Sequence, residues 1–427
     1  MNEIISNLAK SWDWDTPSKN LSDIAKWSSN FSEVQELVTS MDGERIASVV
    51  RAGDESFTVC VNGEPWSNTF EKAWSLKFSP AGVLFVIAMN EDEWSVFEED
   101  EPWNDTFEYV WNLNFSPNGK IAGVNVRSAE GYGASLNGET WEHKFVQVRS
   151  MHISNDGRNS AGSVQMEPLS EGDIVTFKKG IWGLAVNGHP WEQRFLNVWG
   201  CAFSGDGTRV AAEVRLKSGS QTIAVDGICW NEQFKAVWEP VFIPGTHEVI
   251  APGLSSKGWQ LHINGSPLWN QPFNQVWRQK FGPDGKRLAA VVSPDFGRWS
   301  IAVDGTVWKS TFSDVVIEPI FSFDSKHVAA AVKNNNRWTI AVDGVAWNQG
   351  FDMAWNPYFS PDGNMVVARI ALGKNYFVAL DGKLVLGPFE EMWDPIFSPD
   401  GESLLVKCVD DSRYFRKILP VKELLKK

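Results

Sequence analysis

Gly282-Pro283-Asp284-Gly285, then Leu288-Ala289-Ala290-Val291-Val292, then Trp299-Ser300-Ile301-Ala302-Val303-Asp304-Gly305, with Trp308 and Phe312 behind them, decide the fold of this chain. The first tetrapeptide is a tight turn, because Pro presets φ and Gly supplies the positive φ such turns need. The apolar run has the length and continuity of a strand buried on both faces. Trp299, Ile301 and Val303 then alternate up to Asp304-Gly305, a strong hairpin signal. The same succession recurs ten times, roughly every 38 residues, and a period in that range means repeat architecture.

The first turn returns as Ser40-Met41-Asp42-Gly43, Ser79-Pro80-Ala81-Gly82, Ser116-Pro117-Asn118-Gly119, Ser154-Asn155-Asp156-Gly157 and Ser204-Gly205-Asp206-Gly207. It continues near Pro244-Gly245, then at Ser322-Phe323-Asp324-Ser325, Ser360-Pro361-Asp362-Gly363 and Ser398-Pro399-Asp400-Gly401. The second turn is Asn62-Gly63, Asn137-Gly138, Asn187-Gly188, Asp226-Gly227, Asn264-Gly265, Asp343-Gly344 or Asp381-Gly382. Glu99-Asp100 replaces it once, and a looser hairpin is expected there.

Three tryptophan columns follow the period. Trp66, Trp103, Trp141, Trp191, Trp230, Trp269, Trp308 and Trp347 stand just after the second turn, with Trp27 as an N-terminal counterpart and a Phe four residues beyond each. The second column is Trp74, Trp111, Trp199, Trp238, Trp277, Trp355 and Trp393; the third is Trp94, Trp182, Trp259, Trp299 and Trp338. Of 23 Trp, Trp12 and Trp14 alone fall outside. A helical stripe is rejected, because Pro240, Pro357 and Pro395 would sit inside it at a cost of about 3 kcal/mol each. Trp74, Leu76 and Phe78 alternate with period two instead.

Four short strands per unit are the arithmetic of a β-propeller blade. The fold class is therefore all-β, a propeller of about ten blades over 27–427, in one closed ring or, alternatively, two smaller propellers. Tryptophans filling the wedge between blades explain the columns, each burying on the order of 150–250 Å²; an aromatic platform for sugars or an electron-hopping path is the functional alternative. The last unit has no terminal Trp-Phe segment, and Trp27 to Thr39 is expected to supply it, so that an N-terminal strand completes the last blade. Residues 1–26, with Ile4, Ile5, Leu8, Leu21, Ile24 and Ala25, read as short helices outside the propeller. The interval from 154 to 204 carries extra length near Gln165 to Lys179, a surface loop and candidate partner contact.

The net charge of −14 over 427 residues disfavours nucleic acid and anionic lipid as partners. Acidic clusters such as Glu91-Asp92-Glu93 and Glu98-Glu99-Asp100-Glu101 are solvated loops or a surface for a basic partner. No secretory signal is visible at Met1–Ser6, and no run approaches a spanning helix, so a cytoplasmic location is expected. Cys60, Cys201, Cys229 and Cys408 are dispersed, which fits small buried hydrophobes rather than zinc, iron–sulfur or haem ligation. His143, His152, His189, His247, His262 and His327 share no repeat position. Nucleophile-elbow, P-loop and zincin motifs are lacking, so no catalytic, cofactor-binding or metal-ligating residue is assigned.

The turn Ser-Pro-Asp-Gly after Phe, at Phe359 to Gly363 and Phe397 to Gly401, resembles the WD40-like repeat of TolB-type propellers. The tryptophan columns with no Cys motif look like the tryptophan-rich subunit, TmcD, of the Tmc transmembrane electron-transfer complexes of sulfate-reducing bacteria. That resemblance implies a cofactor-free accessory or scaffold subunit, not an enzyme. Its partners would be protein subunits of a membrane redox complex, an iron–sulfur subunit among them, met on the cytoplasmic face. The alternatives are a propeller hydrolase or lyase with a site at the ring axis, and a Trp-based lectin.

Overall fold

The computed structural model describes residues 7–426. The chain is an all-β, ten-bladed propeller of antiparallel sheets, nine of them meanders of consecutive strands and the tenth completed by a strand from far earlier in the chain. Blades 1 to 10 take residues 38–65, 72–102, 109–140, 147–190, 197–229, 236–267, 275–307, 315–346, 353–389 and 391–420. They fall into two compact units, Phe70–Trp277 and the pair of segments Met1–Thr69 with Arg278–Lys427.

Within Phe70–Trp277, the second strand of each blade is the apolar run seen in the sequence, as at Leu84–Asn90 and Val210–Arg215. Its residues face neighbouring sheets on both sides, so the core is a succession of layers between blades. Phe85, Ile87 and Trp94 of blade 2, for instance, meet Val110, Leu113 and Val124 of blade 3. Each Ser-x-Asp-Gly turn is closed from within. Ser154 Oγ donates to Asp156 Oδ1 at 2.6 Å and accepts from the Asn159 N–H at 3.0 Å, and the Gly157 N–H reaches the Ser154 carbonyl at 2.9 Å.

The Asn/Asp-Gly turn has two further jobs. Its side chain caps the second strand, as when the Ala122 N–H donates to Asn137 Oδ1 at 2.7 Å. Its glycine admits the first-column Trp of the preceding blade: a Cβ on Gly188 would lie 3.1 Å from Trp141 Cβ, at φ +79°. Glu99-Asp100 makes the same two-residue turn, contrary to the looser hairpin expected, with φ of 48° and 76°. Glu99 Oε1 takes over the cap, accepting from the Leu84 N–H at 2.9 Å. Asp100 thus holds a left-handed conformation that glycine adopts freely. Asp100→Gly should stabilise the protein by about 1 kcal/mol, read as a higher urea midpoint with an unchanged slope.

In the unit formed by Met1–Thr69 and Arg278–Lys427, the strand completing blade 10 is Ser18–Asp23, paired with Arg413–Pro420. It lies inside the segment read as helical, so the expected boundary at residue 26 is corrected. An outer strand needs no apolar alternation, and Ser18–Asp23 shows none. Ile24 and Ala25 begin the helix Ile24–Asn30, residues 7–9 are helical, and Ile4 and Ile5 lie outside the described residues. Trp27 sits on that helix rather than after a strand, yet it fills the first-column place. It is buried, and a Cβ on Gly63 would lie 3.4 Å from its Nε1.

Proline marks where first strands break. Pro240, Pro319, Pro357 and Pro395 each interrupt the first strand of a blade, as where Met353–Ala354 and Tyr358–Phe359 pair separately with Val366–Leu372. A residue without an N–H cannot extend the ladder.

Candidate functional site

First- and third-column tryptophans are mostly buried between blades, whereas the second column is half-exposed. Where both positions carry a ring, second and third columns meet at the end of the sheet where the second strand passes to the third. Trp74 stacks on Trp94 at 4.0 Å, Trp238 on Trp259 at 5.5 Å, and Trp355 tilts against Tyr376 at 5.8 Å. The Phe four residues after each first-column Trp returns to this end. Phe107 and Trp94 exchange backbone hydrogen bonds at 2.8 Å in both directions.

Blades 2 and 3 extend these contacts into a run of five rings. Tyr109 joins Trp74 at 5.6 Å and Trp111 at 5.7 Å, and Trp111 meets Tyr132 edge-on at 5.9 Å. Beside them a groove of about 750 Å³ opens, lined by Tyr109, Trp111, Tyr132, Arg127, Gln147 and Arg149. Arg149 lies over the Trp182 ring at 3.7 Å. It occupies the second-column position of blade 4, where the neighbouring blades carry Trp111 and Trp199. The gap in the Trp column was the sequence signal for it.

The insertion Met166–Gly180 stands on the same end of blade 4, with a short helix Ile174–Lys179 capped by Asp173, whose carboxylate accepts from the Thr176 N–H at 3.0 Å. Leu169, Ile174, Val175 and Val146 of blade 4 are exposed there, as are Tyr109 and Trp238 on their own blades.

A second polar cluster lies on the first and second strands of blades 4 to 6. Glu213 is buried in Val210–Arg215, and its carboxyl faces the gap left by Gly200, where a Cβ would lie 3.9 Å from both Glu213 Oε1 and Glu239 Cγ. Burial first, and the Glu239 charge second, push Glu213 up to about 8. Burial holds His152 below its ordinary value, against the opposing pull of Glu239. In the other unit, Asp394 pairs with Arg369 at 3.0 Å and accepts from the Tyr358 hydroxyl at 3.1 Å.

The histidines are scattered over the chain. His247 contacts Asp206 at 3.0 Å and His327 contacts Asp343 at 2.6 Å, both on turns. His262, without a visible partner in the sequence, is buried against Phe234 and bonds the Gln260 carbonyl at 3.0 Å. Cys60, Cys201 and Cys408 are buried free thiols; burial pushes Cys201 and Cys408 up to about 12. Among the described residues no group of three His, Cys, Asp or Glu could hold a metal ion, and no helix is long and apolar enough to cross a membrane.

No family model matches the chain, and no curated protein matches it. Among solved structures it is similar to one titled "Crystal structure of the eukaryotic initiation factor", at 14% identity and a TM-score of 0.46, covering 85% of this chain and 96% of that one. It is also similar to "Structure of Dos1 propeller", at 11% identity and a TM-score of 0.34, covering 94% of both chains. Similarities this remote carry nothing about function.

Proposed function

We propose that this chain is a cofactor-free interaction module, an accessory or scaffold subunit that docks protein partners on the aromatic end of its blades. The observation that carries the reading is the asymmetry of blade 4 and its neighbours. One end gathers exposed Tyr109, Leu169, Ile174, Val175 and Trp238, while at the other end Ile228 stands exposed beside Ser-x-Asp-Gly turns whose polar groups bond within the turn and to the neighbouring blade. Exposed aromatic and aliphatic side chains grouped on one end are the material of interface hot spots. The resemblance of the Trp columns to the tryptophan-rich Tmc subunit supplies the partner class: subunits of a membrane-bound electron-transfer complex, an iron–sulfur subunit among them, on its cytoplasmic side.

Capture of the tagged protein from detergent-solubilised membranes of its native host, with a visible spectrum and mass spectrometry, tests this. Haem and iron–sulfur subunits in fixed ratio are expected, with recovery reduced by Ile174→Asp together with Val175→Asp. A colourless, solitary protein overturns the reading.

A hydrolase or lyase is the second reading, favoured by Glu213. A buried carboxyl held protonated near neutrality beside a second carboxylate has the form of a general acid and its partner. Turnover of a glycoside or ester panel that Glu213→Gln abolishes would establish it.

A further inference from the structure

Blade 4 departs from the repeat twice, once at a residue that lines the groove beside Trp111 and once at an insertion that follows the second strand. The insertion begins at Met166, directly after Gln165, whose strand partner Gln147 lines the groove. The other departure is Arg149 in place of the second-column Trp. Its guanidinium preserves the stack on Trp182 but brings a positive charge into an aromatic column. Nη1 donates to Asn197 Oδ1 at 2.8 Å and to the Val198 carbonyl at 3.3 Å. Among the described residues no carboxylate pairs with it, in a chain of net charge −14. The groove's other cation, Arg127, is already paired with Glu108 at 3.1 Å. A guanidinium with no carboxylate partner, its Nη1 held by Asn197 and the Val198 carbonyl, therefore stands at the edge of a cleft lined by Tyr109, Trp111 and Tyr132. Tyr109 and Trp111 stack at 27°, and Tyr132 stands across Trp111 at 77°.

A volume of about 750 Å³ suits a ligand of one to three rings. Half-burying a cation without a counter-charge is costly, and a ligand carboxylate would offset that cost through parallel N–H···O bonds to the guanidinium fork. Aromatic walls favour a flat or CH-rich ring beside the carboxylate. The chain's overall negative charge repels polyanions, which restricts the ligand to one or few charges.

We propose that this groove is a binding site for a small ring-borne carboxylate, its ring lying on Trp111 and Tyr109 and its carboxylate on Arg149. A uronic acid sugar and an aromatic acid share that chemistry. The site does not depend on the scaffold reading.

The test is calorimetric and fluorescence titration of the full chain with D-glucuronate, D-glucose and benzoate, repeated on Arg149→Gln, Arg149→Lys and Trp111→Ala. Glucuronate or benzoate should bind with a dissociation constant of about 1 mM or tighter, and glucose at least about tenfold more weakly. Tighter glucuronate assigns the sugar source, tighter benzoate the aromatic acid. Arg149→Gln should erase the preference for the carboxylate, and Arg149→Lys, which keeps the charge without the fork, should weaken it. If Arg149→Gln does not fold, the lysine and Trp111 variants decide alone. Absence of binding by both carboxylates, or wild-type affinity in Arg149→Lys and Trp111→Ala, overturns the proposal.

Discussion

Arg416→Ala should lower the free energy of unfolding by about 3–5 kcal/mol, which is a large share of what holds a domain folded. The Arg416 side chain is fully buried on the last strand of the chain, Arg413–Pro420. Nε donates to the Asp42 carbonyl at 2.8 Å and lies 3.0 Å from Glu44, and Nη2 donates to the Asp13 carbonyl. Two neighbours on the same hairpin reach the same turn of blade 1. The Tyr414 hydroxyl donates to the Gly43 carbonyl at 2.9 Å, and Lys407 Nζ to the Ser40 carbonyl at 3.2 Å. Lys19, on the strand that completes blade 10, bridges Asp13 and Glu44 at 2.9 and 2.7 Å. Truncating Arg416 would leave buried carbonyls without donors and a cavity between blades 10 and 1, and those two costs add. Tyr414→Phe, which removes one hydrogen bond and little volume, should cost only about 1 kcal/mol. Arg416→Met separates the causes. If the fork matters, methionine recovers little of the loss; if volume matters, it recovers most. Urea denaturation followed by Trp fluorescence measures all three, and an Arg416→Ala chain within about 1 kcal/mol of wild type would refute the account.

That latch shows where the sequence was legible and where it was not. Turns announce themselves because Asn-Gly and Ser-Pro-Asp-Gly have few conformations open to them. Second strands do so because burial on both faces demands unbroken apolar runs such as Leu288 to Val292. The Trp columns were readable for a related reason: a wedge between blades has to be filled at the same place in every repeat. Trp27 kept its column although a helix carries it, since the space under Gly63 must still be occupied. Ser18–Asp23 was hidden because its register comes from Arg413–Pro420, at the far end of the chain, and its own side chains are polar but for Leu21. The groove was hidden for the opposite reason. Arg149 is visible as a missing Trp, but that it stacks on Trp182 while pairing with no carboxylate is a property of three blades folded together.

Glu213→Gln should leave stability almost unchanged at pH 4 and raise it by about 3–5 kcal/mol at pH 9, at about 1.4 kcal/mol for each tenfold difference in proton affinity between the folded and unfolded chain. An ordinary glutamate in the unfolded chain loses its proton near 4.5, whereas Glu213 in the folded protein holds it up to about 8. Below 4.5 both states are protonated and the group is neutral to folding. Between 4.5 and 8 the unfolded state alone gains by ionising, so stability falls as pH rises, and above 8 the loss is complete. Burial against Val210–Arg215 is the main cause, and the Glu239 carboxylate beyond Gly200 adds to it. Glu239→Gln should therefore lower the upper edge of the window and narrow it. His152 and His262 act with the opposite sign, because burial lowers both and the protein gains stability as they lose protons in the unfolded chain near 6.5. Wild-type curves alone would blend the two effects. The difference between wild type and Glu213→Gln cancels the histidines, so its slope from pH 5 to 8 reports Glu213 directly. A flat difference across that range would mean that the carboxyl is ionised in the fold, through a solvent path or a partner strong enough to offset its burial.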